Sequence, residues 1–336
     1  MWVVFVFVVK YTYMKKIFIT RKIPEIAVRM LQEKGYEVDV SGEDRILSQE
    51  EIINYLSKKE YDGVISLLTD NIDKNVFEKT KSVKIFANYA TGFDNINTDD
   101  AKAYGVTITN APAPLSAEAV AQHAISFMLA LASRIVEADK FVREGKYVGW
   151  EPMHFMGTDF LGKTLGLVGG GRIGERVAFY AKGLGLKIIY TDISQNERLE
   201  KEYGAVYYKT LDEVLTQADF VSLHVPLLPS TKHLINKEKL SLMKPTSFLI
   251  NTSRGPVVDE EALRDALKSR VIAGAGLDVF EFEPKLVDGL KDLSNIIMTP
   301  HIASANLDAR EQMAQIVAEN IVDFFEGKTP KNIVNK

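Results

Sequence analysis

The sequence lacks cysteine entirely among its 336 residues. A chain without cysteine forms no disulfide, no thiolate metal site and no cysteine nucleophile, and such a composition suits a reducing cytoplasm. Clusters of other metal ligands are also missing from the pattern. We therefore expect a cytoplasmic protein without a metal site.

The sequence also lacks a basic run. Its formal net charge is −4, and charges of both signs are interspersed along the chain. A nucleic-acid or membrane-surface role normally shows as a basic patch or segment. The charge pattern thus predicts neither a nucleic-acid partner nor a membrane partner.

The start of the sequence lacks the flanking features of a secretory signal and the length of a membrane anchor. Residues 1–9 are apolar, but they fall far short of the roughly 20 residues that span a bilayer, and no basic segment precedes them. Residues 14–20 have the pattern of a start methionine followed by a first strand. We expect the native protein to begin at Met14.

The chain length and the alternation of segments indicate two α/β domains. A chain of 336 residues exceeds the size at which single cores usually stop growing. Apolar strands are predicted over 17–19, 36–40 and 63–68, and amphipathic helices over 24–33 and 48–58. Ser48 and Glu51 form a capping box at the second helix. This order predicts a doubly wound parallel sheet with helices on both faces.

A second series of elements follows two closely spaced prolines, Pro112 and Pro114. Residues 116–142 have the pattern of one long helix that is apolar on more than one face, which is typical of a helix buried between domains or subunits. Apolar segments then predict six parallel strands over 164–168, 186–192, 220–224, 247–251, 273–278 and 296–299. A last helix is predicted over 305–325.

A glycine-rich turn follows the first strand of this second series. Gly169, Gly171 and Gly174 form a G-x-G-x-x-G pattern, and a helix is predicted from Glu175. In dinucleotide-binding proteins such glycines allow the tight turn, the approach of a pyrophosphate and close packing of helix on strand. The next strand ends in Asp192, at about the distance expected for the acid that binds the adenosine ribose. Together these features predict a dinucleotide site.

Three residues that could carry chemistry follow strand ends late in the second series. They are Arg254, Glu283 and His301. In open α/β sheets, ligands bind outside the carboxyl ends of the strands, so these residues are expected to face one crevice. Among the five histidines, only His301 follows a predicted strand directly.

Several motifs of the sequence resemble those of one protein family, and they occur in the same order along the chain. Residues 167–174, 224–227, 251–255, 276–284 and 299–301 are similar to the successive signatures of the D-isomer-specific 2-hydroxyacid dehydrogenases. The resemblance covers nearly the whole chain, from about residue 15 to residue 334. Segments 67–70, 88–96 and 149–152 are most similar to the glyoxylate and hydroxypyruvate reductases within that family.

The resemblance implies the roles of the catalytic residues. His301 would donate a proton to the carbonyl oxygen of a 2-oxo acid as hydride arrives from NADH, and Glu283 would orient its imidazole. Arg254 would hold the substrate carboxylate with its planar guanidinium group. The substrate would be a small acid, glyoxylate or hydroxypyruvate. The protein would be a homodimer built mainly on residues 116–142 and the segment after them.

The resemblance also implies binding residues and a domain layout. NAD would be bound by Gly169, Gly171, Arg172, Ile173, Gly174, Asp192, Val225, Pro226, Thr252 and Asp278, and the substrate by Leu68, Thr91, Gly92, Trp150 and Arg254. Residues 113–301 would form a Rossmann NAD-binding domain, inserted into a Rossmann-like substrate domain made of residues 14–112 and 302–336.

Two alternatives stay open at this point. The same scaffold could oxidise 3-phosphoglycerate or D-lactate, although the chain shows no added C-terminal regulatory domain. A different class of protein, resembling the C-terminal-binding-protein corepressors, keeps this fold and senses dinucleotide. No basic or disordered partner-binding region of that kind is evident in the sequence.

Overall fold

The computed structural model describes residues 14–336. The expected start at Met14 depends on residues 1–13, which lie outside the described part, and it stays a prediction. Strands β1 to β12 span Lys16–Ile19, Glu37–Val40, Gly63–Leu67, Ile85–Tyr89, Thr107–Thr109, Thr164–Val168, Lys187–Thr191, Val206–Tyr207, Phe220–Leu223, Phe248–Asn251, Gly274–Leu277 and Ile296–Met298. Helices α1 to α12 span Ile26–Glu33, Gln49–Lys58, Lys74–Lys79, Thr98–Ala103, Pro114–Ala132, Ile135–Arg143, Arg172–Gly183, Glu197–Tyr203, Leu211–Gln217, Lys237–Leu242, Glu260–Lys268 and Leu307–Phe325.

The chain divides into two compact units. The described part of the first unit consists of residues 14–113 and 307–336. Its sheet has five parallel strands in the order β2-β1-β3-β4-β5. Helices α1 and α12 contribute Leu31 and Val317 to one core, and α2 and α3 contribute Ile52 and Phe77 to a second core. The capping box of Ser48 and Glu51 is confirmed at the start of α2.

The second unit, residues 114–306, contains a larger parallel sheet. Its strands lie in the order β12-β11-β10-β9-β6-β7-β8. The expectation of six strands was wrong by one, because β8 also pairs in parallel with β7. Strand β8 has only two residues, Val206 and Tyr207, and neither is buried. A strand so short and so exposed leaves no apolar run in the sequence to detect.

The predicted single helix over 116–142 is two helices, α5 and α6. Between them Arg134 adopts a left-handed backbone conformation with φ of 54°, which a continuous right-handed helix does not permit. The carbonyl of Ala132 accepts a hydrogen bond from the Thr158 N–H at 2.9 Å. The returning segment at 157–158 therefore satisfies a carbonyl at the end of α5, where the helix stops.

Helix α5 is a core helix of the second unit. It is long and apolar enough to cross a membrane by length and composition, but half of that stretch is buried within the protein. It packs against α7 and against β10 and β11, where Phe127, Met128 and Leu131 join the same core as Leu165 of β6. This packing accounts for its apolar character within its own unit.

Candidate active site

Four adjacent strands of the second unit end along one edge of the sheet. Gly169 follows β6, His224 follows β9, Thr252 follows β10 and Asp278 follows β11. Because β11, β10, β9 and β6 are consecutive neighbours in a parallel sheet, the residues after their carboxyl ends line the same edge. In doubly wound sheets this edge is where ligands bind.

The glycine pattern is enforced by close packing at two of its three positions. Gly169 has φ of +101°, and a Cβ there would lie 2.7 Å from the carbonyl oxygen of His224. A Cβ on Gly174 would lie 2.3 Å from the carbonyl oxygen of Gly169. At Gly171, in contrast, a Cβ would have no atom within 4 Å. The turn is thus tight on its inner side and open at Gly171, where a phosphate could approach the backbone.

Helix α7 begins at Arg172, three residues before the expected Glu175. Gly171 occupies its N-cap and has no side chain to cap the helix. The N–H groups in the first turn of a helix have no intrahelical acceptor, and the helix dipole adds positive potential there. Gly171, Arg172, Ile173 and Gly174 therefore form a turn suited to a pyrophosphate.

Asp192 is fixed to the glycine turn. Its Oδ2 accepts a hydrogen bond from the Gly170 N–H at 2.6 Å, and its Oδ1 accepts from the Ile193 N–H at 2.6 Å. The Asn196 Nδ2 donates to the carbonyl of Gly170 at 2.7 Å. Asn196 was missed by the sequence reasoning, although it has the residue type of a helix N-cap and does cap α8. The carboxylate and the turn are therefore positioned as one unit.

Two buried polar atoms at the strand ends have no hydrogen-bond partner among the described residues. They are Thr252 Oγ1 and His224 Nδ1. Burial lowers the pKa of His224 to about 3, so this imidazole is neutral at physiological pH. Buried polar groups are normally hydrogen-bonded, and a polar ligand at this edge would supply the partners. These observations fit a dinucleotide cofactor, with Val225 and Pro226 in the half-exposed loop that follows His224.

The structure brings Glu283 and His301 together. His301 Nδ1 lies 3.0 Å from Glu283 Oε2, and Glu283 Oε1 accepts from the Phe280 N–H at 2.9 Å. Burial acts to raise the pKa of Glu283, but the hydrogen bonds from His301 and Phe280 and the charge of Arg254 outweigh it, so this pKa is lower than usual. Glu283 is therefore a carboxylate at neutral pH, aimed at one nitrogen of the imidazole.

Arg254 lies close enough to this pair for its charge to act on Glu283. Its carbonyl accepts from Asn251 Nδ2 at 2.9 Å, which shapes the turn after β10. A cation of fixed charge beside a proton donor is the arrangement that binds an acidic substrate. The sequence prediction of Arg254, Glu283 and His301 thus corresponds to three residues that lie near one another in the second unit.

Asp278 is buried and holds the loop of His301. Its Oδ1 accepts from Thr299 Oγ1 at 2.6 Å and from the Ile302 N–H at 2.8 Å, and its Oδ2 accepts from the Ala303 N–H at 2.7 Å. Its carbonyl accepts from the His301 N–H at 2.8 Å. His301 has φ of 56°, a left-handed conformation that is costly for a non-glycine residue. The bonds to Asp278 hold it there.

His123 of α5 extends this network. Its Nε2 lies 3.0 Å from Thr299 Oγ1, which in turn donates to Asp278. Burial lowers the pKa of His123, and the Asp278 charge opposes that shift only in part. Sequence reasoning gave His123 no role because a single histidine in an apolar helix carries no signal of its partners.

The predicted substrate residues of the first unit lie after two of its strands. Leu68 directly follows β3, and Thr91 and Gly92 follow β4. Asn88 Nδ2 donates to the Gly92 carbonyl at 3.1 Å, and Asn110 Nδ2 donates to the Thr91 carbonyl at 2.6 Å. The loop is thus held through its carbonyl groups, and its own N–H groups are not used in these bonds.

Trp150 lies elsewhere in the second unit, in the irregular segment after α6. It is 82% exposed, and it belongs to a stretch of exposed apolar residues. Its predicted contribution to a substrate site stays a prediction.

A glycine turn suited to a dinucleotide and a histidine paired with a carboxylate lie at the same sheet edge, an arrangement that suits hydride transfer to a carbonyl group. On this basis the fold and the site belong to the class of NAD-binding dehydrogenases. Residues 125–303 match the family model described as D-isomer specific 2-hydroxyacid dehydrogenase, NAD binding domain.

Known proteins with this organisation are similar over nearly the whole chain. A glyoxylate reductase of Pyrococcus furiosus is 46% identical over 325 residues, which cover 96% of this chain and 95% of that protein. The D-lactate dehydrogenase of Aquifex aeolicus, solved with NAD and lactic acid, is 31% identical with a TM-score of 0.83, covering 96% and 99% of the two chains. An NADPH-dependent glyoxylate/hydroxypyruvate reductase of Sinorhizobium meliloti is 29% identical with a TM-score of 0.83, covering 96% and 97%.

The chain belongs to the D-isomer specific 2-hydroxyacid dehydrogenase family. It is an oxidoreductase that acts on the CH–OH group of 2-hydroxy acids, with NAD(H) as the family's cofactor. The fold class predicted from the sequence, two parallel-sheet α/β units, is confirmed.

Proposed function

We propose that this protein is an NADH-dependent reductase of a small 2-oxo acid, glyoxylate or hydroxypyruvate. The observation that carries the proposal is the 3.0 Å contact of His301 with Glu283, beside Arg254, at the sheet edge that also carries the glycine turn. Similarity to proteins named glyoxylate reductase supports the choice of substrate. A cytoplasmic location is part of the same proposal.

The geometry of the pair supports a separate role for each nitrogen of His301. Since Nδ1 is held by Glu283, Nε2 is the atom left to face a substrate carbonyl oxygen. NADH, when bound, would supply the hydride for the carbonyl carbon. His301 gives its proton to the carbonyl oxygen, and the Glu283 carboxylate stabilises the imidazolium before that transfer. Arg254 binds the substrate carboxylate through two N–H groups.

The proposed substrate site also includes Leu68, Thr91, Gly92 and Trp150. The N–H groups of Thr91 and Gly92 are assigned to the substrate carboxylate, since their loop uses its carbonyl groups for its own support. Leu68 and Trp150 are assigned as apolar walls. The layout of a substrate domain interrupted by an NAD-binding domain is proposed on the same grounds.

Steady-state turnover on a panel of 2-oxo acids tests the function. We expect kcat/KM with glyoxylate or hydroxypyruvate to exceed that with pyruvate and 3-phosphohydroxypyruvate. One altered wall contact is enough for a tenfold difference, since this is about 1.4 kcal/mol. Higher values for pyruvate or the phosphorylated acid would favour the lactate or phosphoglycerate alternative. Dinucleotide binding without any turnover would favour the sensor alternative.

Asp192 predicts the preference between the two nicotinamide cofactors. A carboxylate at the end of β7 accepts from a ribose 2′-hydroxyl and repels a 2′-phosphate. We expect kcat/KM to be at least about tenfold higher with NADH than with NADPH. Asp192→Asn should lower this NADH-to-NADPH ratio, and asparagine keeps an acceptor for the Gly170 N–H. Equal or better use of NADPH by the wild-type enzyme would show this assignment to be wrong.

Glu283→Gln is expected to change the pH profile of reduction. Glu283 has a lowered pKa and so stays ionised through the neutral range. Reduction consumes a proton at the carbonyl oxygen, and His301 is the proposed donor. Glutamine keeps a hydrogen-bonding group but removes the charge that stabilises the imidazolium. The fall in kcat/KM with rising pH should then begin at lower pH. An unchanged alkaline limb of the kcat/KM profile in Glu283→Gln would contradict the electrostatic role proposed for Glu283.

A homodimer is expected to form through α6 and the segment after it. Exposed apolar side chains are concentrated there, and large patches of this kind mark interaction sites. We expect light scattering at micromolar concentration to give twice the chain mass, and Val148→Asp to lower that mass. An active monomer would contradict this expectation. The exposed apolar residues of α6 and the segment after it are Ile135, Val136, Val142, Tyr147, Val148, Trp150, Met153, Met156 and Leu161.

A further inference from the structure

Glu260 is a buried carboxylate, and it is not one of the three proposed catalytic residues, Arg254, Glu283 and His301. It is the first residue of α11 and only 2% exposed. Its Oε2 accepts from the Glu281 N–H at 2.8 Å, and its Oε1 accepts from the Val287 N–H at 2.9 Å. Each oxygen of one buried side chain therefore holds a different end of the loop 281–287.

Burial of the Glu260 carboxylate costs free energy unless both of its oxygens are hydrogen-bonded. A carboxylate removed from water must be compensated by hydrogen bonds, and bonds from N–H groups to a charged oxygen are stronger than neutral ones. Glu281 in turn binds the backbone of Glu260, because the Glu281 Oε2 accepts a hydrogen bond from the Glu260 N–H at 3.3 Å. Its Oε1 lies 2.6 Å from His233 Nε2. We call Glu260, with the two N–H groups that it binds, the Glu260 clamp.

The loop held by the clamp carries Glu283. The two clamped N–H groups lie two residues before Glu283 and four residues after it. Glu283 Oε1 is bonded to the N–H of Phe280, the direct neighbour of clamped Glu281. A shift of the backbone at Glu281 would consequently move both the side-chain anchor and the chain position of Glu283.

We propose that Glu260 is a positioning residue for proton transfer, which holds the 281–287 loop so that the Glu283 carboxylate stays in hydrogen-bond contact with His301 Nδ1. This role deepens the proposed reductase function and rests on it. Glu260 acts through Glu283 and makes no contact with reacting atoms. Its effect should therefore depend on the presence of the Glu283 charge.

Glu260→Gln tests this role with little change in shape. Glutamine offers one oxygen and one NH₂ group, so one of the two backbone N–H groups meets a donor and loses its bond. Loss of alignment at a reacting group lowers the rate, and we expect kcat to fall on the order of tenfold. The Kd for NADH should stay unchanged. The alkaline limb of kcat/KM should move to lower pH, in the same direction as in Glu283→Gln.

Two comparisons separate positioning from a general loss of stability. Glu261→Gln is the matched control, because Glu261 is the next residue of α11 and is exposed; it should leave the rate and the pH profile unchanged. In the Glu283→Gln background, Glu260→Gln should cause no further shift of the alkaline limb, because the charge that it positions is gone. A further shift of equal size in that background would overturn the proposal.

Hydrogen exchange provides a readout that does not depend on turnover. In the full-length protein, the amides of Glu281 and Val287 should exchange faster in Glu260→Gln than in the wild type or in Glu261→Gln. Unchanged exchange together with an unchanged alkaline limb would overturn the clamp. If the wild type turned over no 2-oxo acid, the proposed function would fail while exchange still tested the clamp. Should Glu260→Gln not fold, Glu260→Asp keeps the charge but is too short to reach both amides, and the same results are expected.

Discussion

Replacement of His301 with Ala is expected to lower kcat/KM for reduction by on the order of 10² to 10⁴ at neutral pH, the usual contribution of a positioned general acid. The imidazole is held at Nδ1 by Glu283, and its backbone is held at φ of 56° by the carbonyl of Asp278. Alanine removes the imidazole and its contact with Glu283, and it leaves the backbone hydrogen bond to the Asp278 carbonyl in place. The loss should appear in kcat as well as in kcat/KM, as for an interaction made in the transition state.

The control for His301→Ala is cofactor binding. The glycine turn and Asp192 are held by hydrogen bonds from the Gly170 and Ile193 N–H groups, in which His301 takes no part. Fluorescence titration with NADH should thus give nearly the wild-type Kd. Turnover close to that of the wild type would mean that another group donates the proton. A large loss of NADH affinity would instead show that His301 supports the cofactor site.

Much of the second unit could be predicted from the sequence because its signals are local. The strand before Gly169, the spacing of the three glycines and the acid at the end of the next strand are all read within about 30 residues, the usual length of one βαβ unit. The ends of α5 and α6 could not be read in this way. No glycine or proline occurs at residues 133–134, and the hydrogen bond at the break joins Ala132 to the distant Thr158.

The supports of the candidate site were invisible for a related reason. Asp278 binds N–H groups of residues 302 and 303, and Glu260 binds those of residues 281 and 287. Each acid lies more than 20 residues from its partners, so no local pattern in the sequence indicates either pairing. The motif resemblance predicted three catalytic residues, and their roles stay a prediction. It could not show that two buried acids hold the loops of His301 and Glu283.

Replacement of Gly255 with Ala is the other change with a large expected effect. A Cβ on Gly255 would lie 1.9 Å from the carbonyl carbon and oxygen of Phe280 and 2.4 Å from the N atom of Glu281. These are backbone atoms, so no side-chain rotation relieves the overlap. The turn that carries Arg254 must then separate from the loop that carries Glu283. Overpacking of this kind costs about 1–3 kcal/mol, occasionally more.

The effect of Gly255→Ala on catalysis should exceed its effect on folding. A displacement of about 1 Å between reacting groups can cost on the order of 10² in rate, and here it separates Arg254 from the pair of Glu283 and His301. Gly183→Ala is the matched control, because a Cβ there meets no atom within 4 Å and the residue ends helix α7. The control should keep its activity and its melting temperature. Wild-type kcat/KM in Gly255→Ala would mean that the two loops move apart without loss of function, and that the contact at Phe280 does not set the spacing of the site.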